Sequence, residues 1–440
     1  MKKQVILLAA LWFAGIGGIH AEDTEGSKKA SSATGTENTF SMRVQIRPRA
    51  EYRNGVLFPR KAGEAATGFI NNRARISMGY ARDRLALGLS AQHVGVWGQD
   101  PQIDKNGRFV LNEAWAQLDF GSGFYAKLGR QTLVYDDERI LGALDWNVAG
   151  RYHDALKLGY ADAKNKLDLI LAFNQNDEKT IGGTYYAPGA QPYKTMQTVW
   201  YKHLCSPAFN ASFLLMNLGL EAGDPETKKS DTKYMQTLGT NLIYTPSQWS
   251  FGGTFYYQFG KNKADRDVSA FMWAVLAAYQ IDPQWKIGVG SDYLSGADSR
   301  GGGKYKAFDP LYGTHHKFYG AMDYFYASAF VNGLNPGLWD NQINVAYKPS
   351  KKVNLSLAYH YFSITGDVYA DGKKLDRGLG SEVDLQVDWT IMKDVKLSAG
   401  YSTMLGTNTM KAVKGGNPSH WQDWAWLSLN INPTVFTSKW

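Results

Sequence analysis

SMRVQIRPRAEYR, residues 41–53, alternates two kinds of side chain along its length. Val44, Ile46, Ala50 and Tyr52 fall on one parity; Arg43, Gln45, Arg47, Arg49, Glu51 and Arg53 fall on the other. Successive side chains of an extended strand point to opposite faces, so the segment reads as a strand with one apolar and one charged face. An open sheet would leave the charged face in bulk water. A closed barrel in a membrane would turn it toward a wet channel and give the apolar face to lipid.

The same period of two recurs outward from this segment. Leu85, Leu87 and Leu89 form one apolar row; Leu167, Leu169, Leu171 and Phe173 form another; Val353, Leu355, Leu357, Tyr359 and Tyr361 a third. Val383, Leu385, Val387 and Trp389 alternate with Glu382, Asp384, Gln386 and Asp388. The pattern predicts strands at 41–53, 69–82, 84–97, 108–120, 123–133, 150–161, 165–175, 196–205, 208–220, 233–245, 248–260, 268–281, 284–294, 338–348, 352–363, 380–391, 394–405 and 421–432. Their lengths suit tilted membrane strands. Short connections such as Asp83, Ser206–Pro207 and Asp282–Pro283 take turns with long ones such as 134–149, 176–195 and 295–337. The expected fold is therefore all-β: a transmembrane antiparallel barrel of about 18 strands, with short periplasmic turns and long extracellular loops. Trp97, Tyr125, Trp249, Tyr293, Trp339, Trp389, Trp424 and Trp426 sit near strand ends, where amphipathic rings favour a bilayer interface, although strand packing explains any one of them equally well.

Three segments follow from this reading. Residues 1–21 form a signal peptide: Lys2 and Lys3 precede an apolar run, Val5 to Ile19, too short to span a bilayer. Residues 22–40 are polar and rich in Ser, Thr and Gly, and read as a flexible periplasmic leader; 41–440 is the barrel. The aromatic fraction of 14% and the 46 glycines suit strands, turns and aromatic belts. Mean hydropathy is −0.36, which excludes a helical membrane protein but not a barrel, where only alternate residues meet lipid. The single Cys205 excludes an internal disulfide framework. A plugged TonB-dependent receptor is not expected, since little chain precedes residue 41.

Nothing in the sequence points to catalysis or to a cofactor. His315 and His316 are adjacent, and no carboxylate or Cys sits at a metal-ligand spacing from them, so a loop role is expected. There is no G-x-S-x-G elbow, and Gly301 to Gly303 does not open a helix. An enzyme and a nucleic-acid binder are both disfavoured.

The net charge of +8 is more informative where it is concentrated. Arg73 and Arg75 on the second strand would lie beside the arginines of the first, with Lys127, Lys157, Lys202 and Lys286 adding positive charge elsewhere on the inner wall. Glu51, Glu113, Asp119, Asp292, Asp384 and Asp388 offset it locally. Guanidinium groups bind carboxylates in a two-pronged geometry, so an arginine-lined lumen would favour anions. The plainer reading is a balanced ion-pair network that stiffens the wall. The segment GRQTLVYDDERILGALDWNVAGRYHD, 129–154, carries Asp136, Asp137, Glu138, Arg139, Asp145 and Arg151, none of which can face lipid. Its apolar Ile140, Leu141, Leu144 and Trp146 favour a loop folded into the lumen.

These pieces resemble the alginate-export family of outer-membrane porins. The matching stretches are RPRAEYR at 47–53, GRQTLVYDDERILGALDW at 129–146, GRYHDA at 150–155, SDYLSG at 291–296 and FDPLYGTHHKFYGAMDYF at 308–325. The resemblance implies a monomeric 18-stranded barrel in the outer membrane, with an electropositive constriction that conducts an anionic polyuronate. It implies lumen or constriction roles for Arg47, Arg49, Glu51, Arg130, Asp136, Arg139, Asp145 and Arg151. With Arg53, Arg73, Arg75 and Lys127 from the strand pattern, these are the candidate substrate-path residues. The expected function is passive diffusion of a uronate-type polysaccharide or oligosaccharide. The alternatives are a non-conducting structural or adhesive barrel and a generic anion-diffusion porin. Expected partners are outer-membrane lipids, the anionic saccharide and, from the terminal aromatic Trp440, the barrel-assembly machinery.

Overall fold

The computed structural model describes residues 37–101, 109–187, 189 and 191–440. The expected signal peptide, 1–21, and the expected leader up to residue 36 lie outside the described residues. The strands in chain order are β1 (Thr39–Asn54), β2 (Thr67–Arg82), β3 (Leu85–Val96), β4 (Phe109–Gly121), β5 (Phe124–Gln131), β6 (His153–Ala161), β7 (Asn165–Phe173), β8 (Thr195–Ser206) and β9 (Phe209–Glu221). They continue with β10 (Thr232–Tyr244), β11 (Trp249–Lys261), β12 (Asp267–Gln280), β13 (Trp285–Leu294), β14 (Leu338–Ser350), β15 (Val353–Ser363), β16 (Gly378–Met392) and β17 (Val395–Gly406). The last strand, β18, comes in two pieces, Gln422–Ile431 and Thr434–Lys439. A small hairpin, Tyr369–Ala370 with Lys373–Lys374, decorates the loop after β15.

Each strand pairs antiparallel with its chain neighbour, and β1 pairs with β18, so the 18-stranded sheet closes. Closure is what hydrocarbon demands, because an open edge would leave N–H and C=O groups with no water to bind. Among the described residues no helix is long and apolar enough to cross a membrane; the strands cross. The alternation in 41–53 has the expected sense: Gln45, Arg47, Arg49 and Glu51 are buried inside, while Ile46 and Tyr52 are exposed on the outer face.

The structure departs from the sequence reading at three places. Pro433 breaks the pairing of β18 but does not end it. It has no N–H to donate, but its carbonyl accepts from the Val44 N–H at 3.2 Å, and Thr434 resumes opposite Arg43 in the register of Ile431 opposite Ile46; the register shifts only beyond it, at Val435. Phe40 lies opposite Ser438, so β1 begins within the stretch read as leader. Second, the aromatic belt is smaller than expected. Trp97, Trp249, Trp339 and Trp389 are exposed on the outside, whereas Trp424 and Trp426 are buried inside and Tyr125 reaches Asp168. The two tryptophans share the parity of the buried Gln422 and Ser428, which settles their direction. Third, the loop after β17, read as irregular, holds the helix α1 (Asn408–Lys414). The Thr407 side chain caps its start by accepting from the Met410 N–H, and Gly415 at φ 74° ends it.

Two long loops run inside the barrel rather than over it. The one after β5, residues 132–152, buries Leu133, Ile140 and Leu141. The one after β13, residues 295–337, buries Phe308, Met322, Tyr324 and Phe325. Its apolar run Met322 to Phe330 forms no helix, because Asp323 and Tyr326 take φ of 59° and 62°. The loops meet in a short parallel bridge, Leu141 to Tyr312. Inner-wall side chains such as Gln258 and Asp292 are therefore buried against loop atoms, at Asp309 O and Arg139, instead of lining an empty tube.

Candidate functional site: a loop docked across the barrel interior

The 132–152 loop touches three sectors of the wall in turn. Near its start the Tyr135 hydroxyl donates to Asp168 of β7 at 2.8 Å. Asp136 accepts from Trp200 Nε1 of β8 at 3.0 Å and from Ser212 Oγ of β9 at 2.6 Å. Ser212 and Asp168 each stand three residues from the start of their strands, so this part of the loop reaches toward the short-turn end. Burial pushes the Asp136 carboxyl up to about 6; the bonds from Ser212 and Trp200 and the charge of Lys202 pull the other way, and Asp137 adds to the rise.

The middle of the loop crosses to β11 and β13. Arg139 donates to Asp137 at 2.9 Å and to Asp292 of β13 at 3.0 Å, with its guanidinium 3.9 Å from the centre of the Phe318 ring. Thr254 of β11 donates to Asp137 at 3.0 Å. Glu138 accepts from Thr314 Oγ1 at 2.8 Å and pairs with Lys317 at 3.3 Å, which ties the two inner loops together.

The far end docks on β1, β2 and β3. Arg47 Nη1 donates to Asp145 Oδ2 at 2.8 Å, and Arg73 Nη1 donates to Asp145 Oδ1 at 2.5 Å. The loop carbonyls then take the remaining donors one after another. Asp145 O accepts from Arg47, Trp146 O from Arg49, Asn147 O and Val148 O from Arg73, and Ala149 O from Gln92. A run of consecutive carbonyls facing a guanidinium wall satisfies backbone groups that would otherwise be buried unpaired. Arg75 donates to Gln92 Oε1, which holds Gln92 against the loop. Burial alone would raise the Asp145 carboxyl, yet Arg47, Arg73 and Arg75 together hold it well below the usual carboxylate range.

Glu51 supports the same sector. It accepts from Arg49, Arg53, Asn71 and Trp424 Nε1. Trp146 lies 3.8 Å from the Arg49 guanidinium and stacks on His316 at 4.2 Å, so the loop tip is clamped by a cation–π contact on one side and a ring on the other. Arg53 packs over Phe69 at 4.9 Å.

The inward-facing candidates thus divide. Arg47, Arg49, Glu51, Arg53, Arg73, Arg75 and Asp145 come together in one network. Asp136 and Arg139 serve the other docking points. Arg151 donates to Gly313 O at 2.9 Å and lines a cavity of about 900 Å³ on the long-loop side, with Lys263, Arg266 and Tyr305. Lys127 is inside but distant in register from the arginines, with its ammonium 3.6 Å from the centre of the Trp115 ring. Arg130 is a correction: it is not a lumen residue. It shares the parity of the exposed Leu128, pairs on the outer face with Asp154 at 2.9 Å and lies over Tyr152 at 4.2 Å. The three-residue offset from Lys127 already requires opposite faces. Sequence reasoning missed Gln92 and Asp168; each sits on the inward parity of its strand, which was the available signal.

The family model described as "Alginate export" matches residues 39–418. No curated protein sequence matches the chain. Among solved structures, the outer membrane protein opdK from Pseudomonas aeruginosa superposes with a TM-score of 0.58 at 9% identity, covering 92% of this chain and 99% of that one. OccAB1 of Acinetobacter baumannii gives 0.59 at 12% identity, covering 93% and 100%. A BenF-like porin from Pseudomonas fluorescens Pf-5 gives 0.58 at 12% identity, covering 90% and 99%. At such low identity these likenesses speak for the barrel fold alone. The family match spans nearly the whole barrel, and on it the chain belongs to the alginate-export family, as an outer-membrane pore protein.

Proposed function

We propose that the barrel passes an anionic saccharide of the uronate type by passive diffusion, and that the arginines of β1 and β2 are the groups it meets at the constriction. One observation carries the reading: Asp145 is already a carboxylate held by Arg47 and Arg73. A uronate ring presents the same group. Five arginines, Arg47, Arg49, Arg53, Arg73 and Arg75, surround two carboxylates, Asp145 and Glu51, so the sector stays net positive. A passing carboxylate exchanges with Asp145 rather than filling an empty site, which keeps each binding event weak enough for conduction. The chain acts as a monomer and reaches the membrane through the barrel-assembly machinery.

The test is single-channel recording with oligouronates against neutral oligosaccharides of equal length. Transient block by the charged series alone supports the reading; equal block by both removes the anionic specificity. The inward packing of two loops favours a second reading, a barrel that does not conduct. Absence of any conductance from folded, bilayer-inserted protein would favour it.

A further inference from the structure

A second basic feature lies away from the arginine sector. Four lysines occupy four consecutive strands of the inner wall: Lys127 of β5, Lys157 of β6, Lys166 of β7 and Lys202 of β8. Their outward-parity neighbours Leu128, Leu158, Leu167 and Tyr201 are exposed on the lipid face, which fixes the lysines inward. β5 begins at Phe124 and β7 at Asn165, while β6 ends at Ala161 and β8 at Ser206, so all four lie toward the short-turn end. The register puts Lys127 directly opposite Lys157, and Lys166 directly opposite Lys202.

Like charges directly opposite one another destabilise a sheet. Here there are two such pairs, staggered by four residues across β6 and β7, where Lys157 faces Ile170 and Lys166 faces Ala161. Only Lys157 has a carboxylate within ion-pair reach among the described residues, Asp168 at 3.8 Å. Asp168 already accepts from the Tyr125 and Tyr135 hydroxyls. The other nearby carboxylates are also engaged: Glu113 by the Thr132 N–H at 3.2 Å, and Asp136 by Trp200 and Ser212. Lys127 and Lys166 rest over Trp115 and Trp200, an arrangement that holds the charges without neutralising them.

We propose that these two staggered pairs, with Lys166 exposed at the mouth and Lys127 buried furthest in, are an anion-recruiting site that faces the periplasmic mouth and takes several carboxylates of one saccharide chain before they reach the arginine sector. Four adjacent strands span about 14 Å, room for a run of charges rather than one small ion. Substrate then approaches from the periplasmic side, beneath the part of the inner loop that carries Tyr135 and Asp136. The proposal deepens the pore reading and rests on it for the nature of the cargo.

Calorimetric titration of detergent-solubilised full-length protein at low salt tests it. The probes are an oligouronate, a sulfated oligosaccharide and a neutral oligomer, all of one length. The K127Q/K157Q/K166Q/K202Q variant is expected to lose roughly tenfold or more in oligouronate affinity, while the neutral oligomer binds neither protein. Weaker binding of the sulfated chain identifies carboxylates as the preferred charge; stronger binding overturns that assignment. Oligouronate affinity unchanged in the lysine variant overturns the site. R47Q/R73Q separates the two readings: loss there with none in the lysine variant leaves the pore reading and removes the lysine site, and the reverse keeps the lysine site without the arginines.

Discussion

Asp145 and Arg47 are 98 residues apart in the chain and meet at 2.8 Å, Oδ2 to Nη1. The same carboxylate holds Arg73, so one loop side chain neutralises part of two strands. Breaking a buried ion pair by removing one partner costs about 3–5 kcal/mol, because the other charge stays behind. Asp145→Ala should therefore loosen the 145–149 segment from the wall and leave two arginines without their carboxylate. Larger single-channel conductance and stronger anion preference are expected. A variant with unchanged conductance would show that Asp145 does not hold the constriction.

Gly313 allows the two inner loops to touch. A Cβ there would lie 2.3 Å from the Arg139 carbonyl oxygen and 2.7 Å from its carbon, both backbone atoms that cannot swing away. The neighbouring bonds, Tyr312 N–H to Ile140 O at 3.0 Å and Gly142 N–H to Tyr312 O at 2.9 Å, depend on that approach. Gly313→Ala should cost about 1–3 kcal/mol of loop packing. Faster proteolysis within 132–152, with the barrel itself still folded on a gel, is the expected signature.

The two ends of the 132–152 loop respond to pH differently. Burial raises Asp136 to about 6, so the folded protein binds an extra proton between its ordinary value near 4 and that point. Stabilisation from the protonated form is present at low pH and is lost as pH rises through about 6. Asp145, held low by its arginines, stays charged throughout this window. The deep end of the loop should therefore loosen progressively between about pH 4 and about pH 6, with little further change above that, seen as added open-channel noise. Asp136→Asn should abolish the step, and a step of the same size in that variant would assign it to another group.

Much of this architecture was legible in the sequence because a barrel writes its two environments into alternate residues. The Arg47–Arg49–Glu51 parity and the length alternation of turns and loops carry the fold, and all eighteen barrel strands appear near their expected positions. What period two cannot say is where an inward side chain finds its partner. Asp145 belongs to a loop, and its link to Arg47 and Arg73 depends on how that loop crosses the lumen. Pairing across Pro433 was invisible for a related reason: a residue without an N–H reads as a stop, yet its carbonyl still accepts from Val44 and the ladder continues in the same register to Thr434. Arg130 shows the opposite failure. A motif match suggested the lumen, while its three-residue offset from Lys127 had already placed it outside. Trp424 and Trp426 looked like belt residues by type, and only their shared parity with Gln422 and Ser428 turned them inward.

The zero-current potential across a planar bilayer under a salt gradient tests the arginine sector most directly. Wild-type protein should show an anion-selective potential, R47E/R73E should move it toward or past zero, and R130E, changed on the outer face, should leave it where it was. A cation-selective wild type, or a potential indifferent to R47E/R73E, would contradict the account.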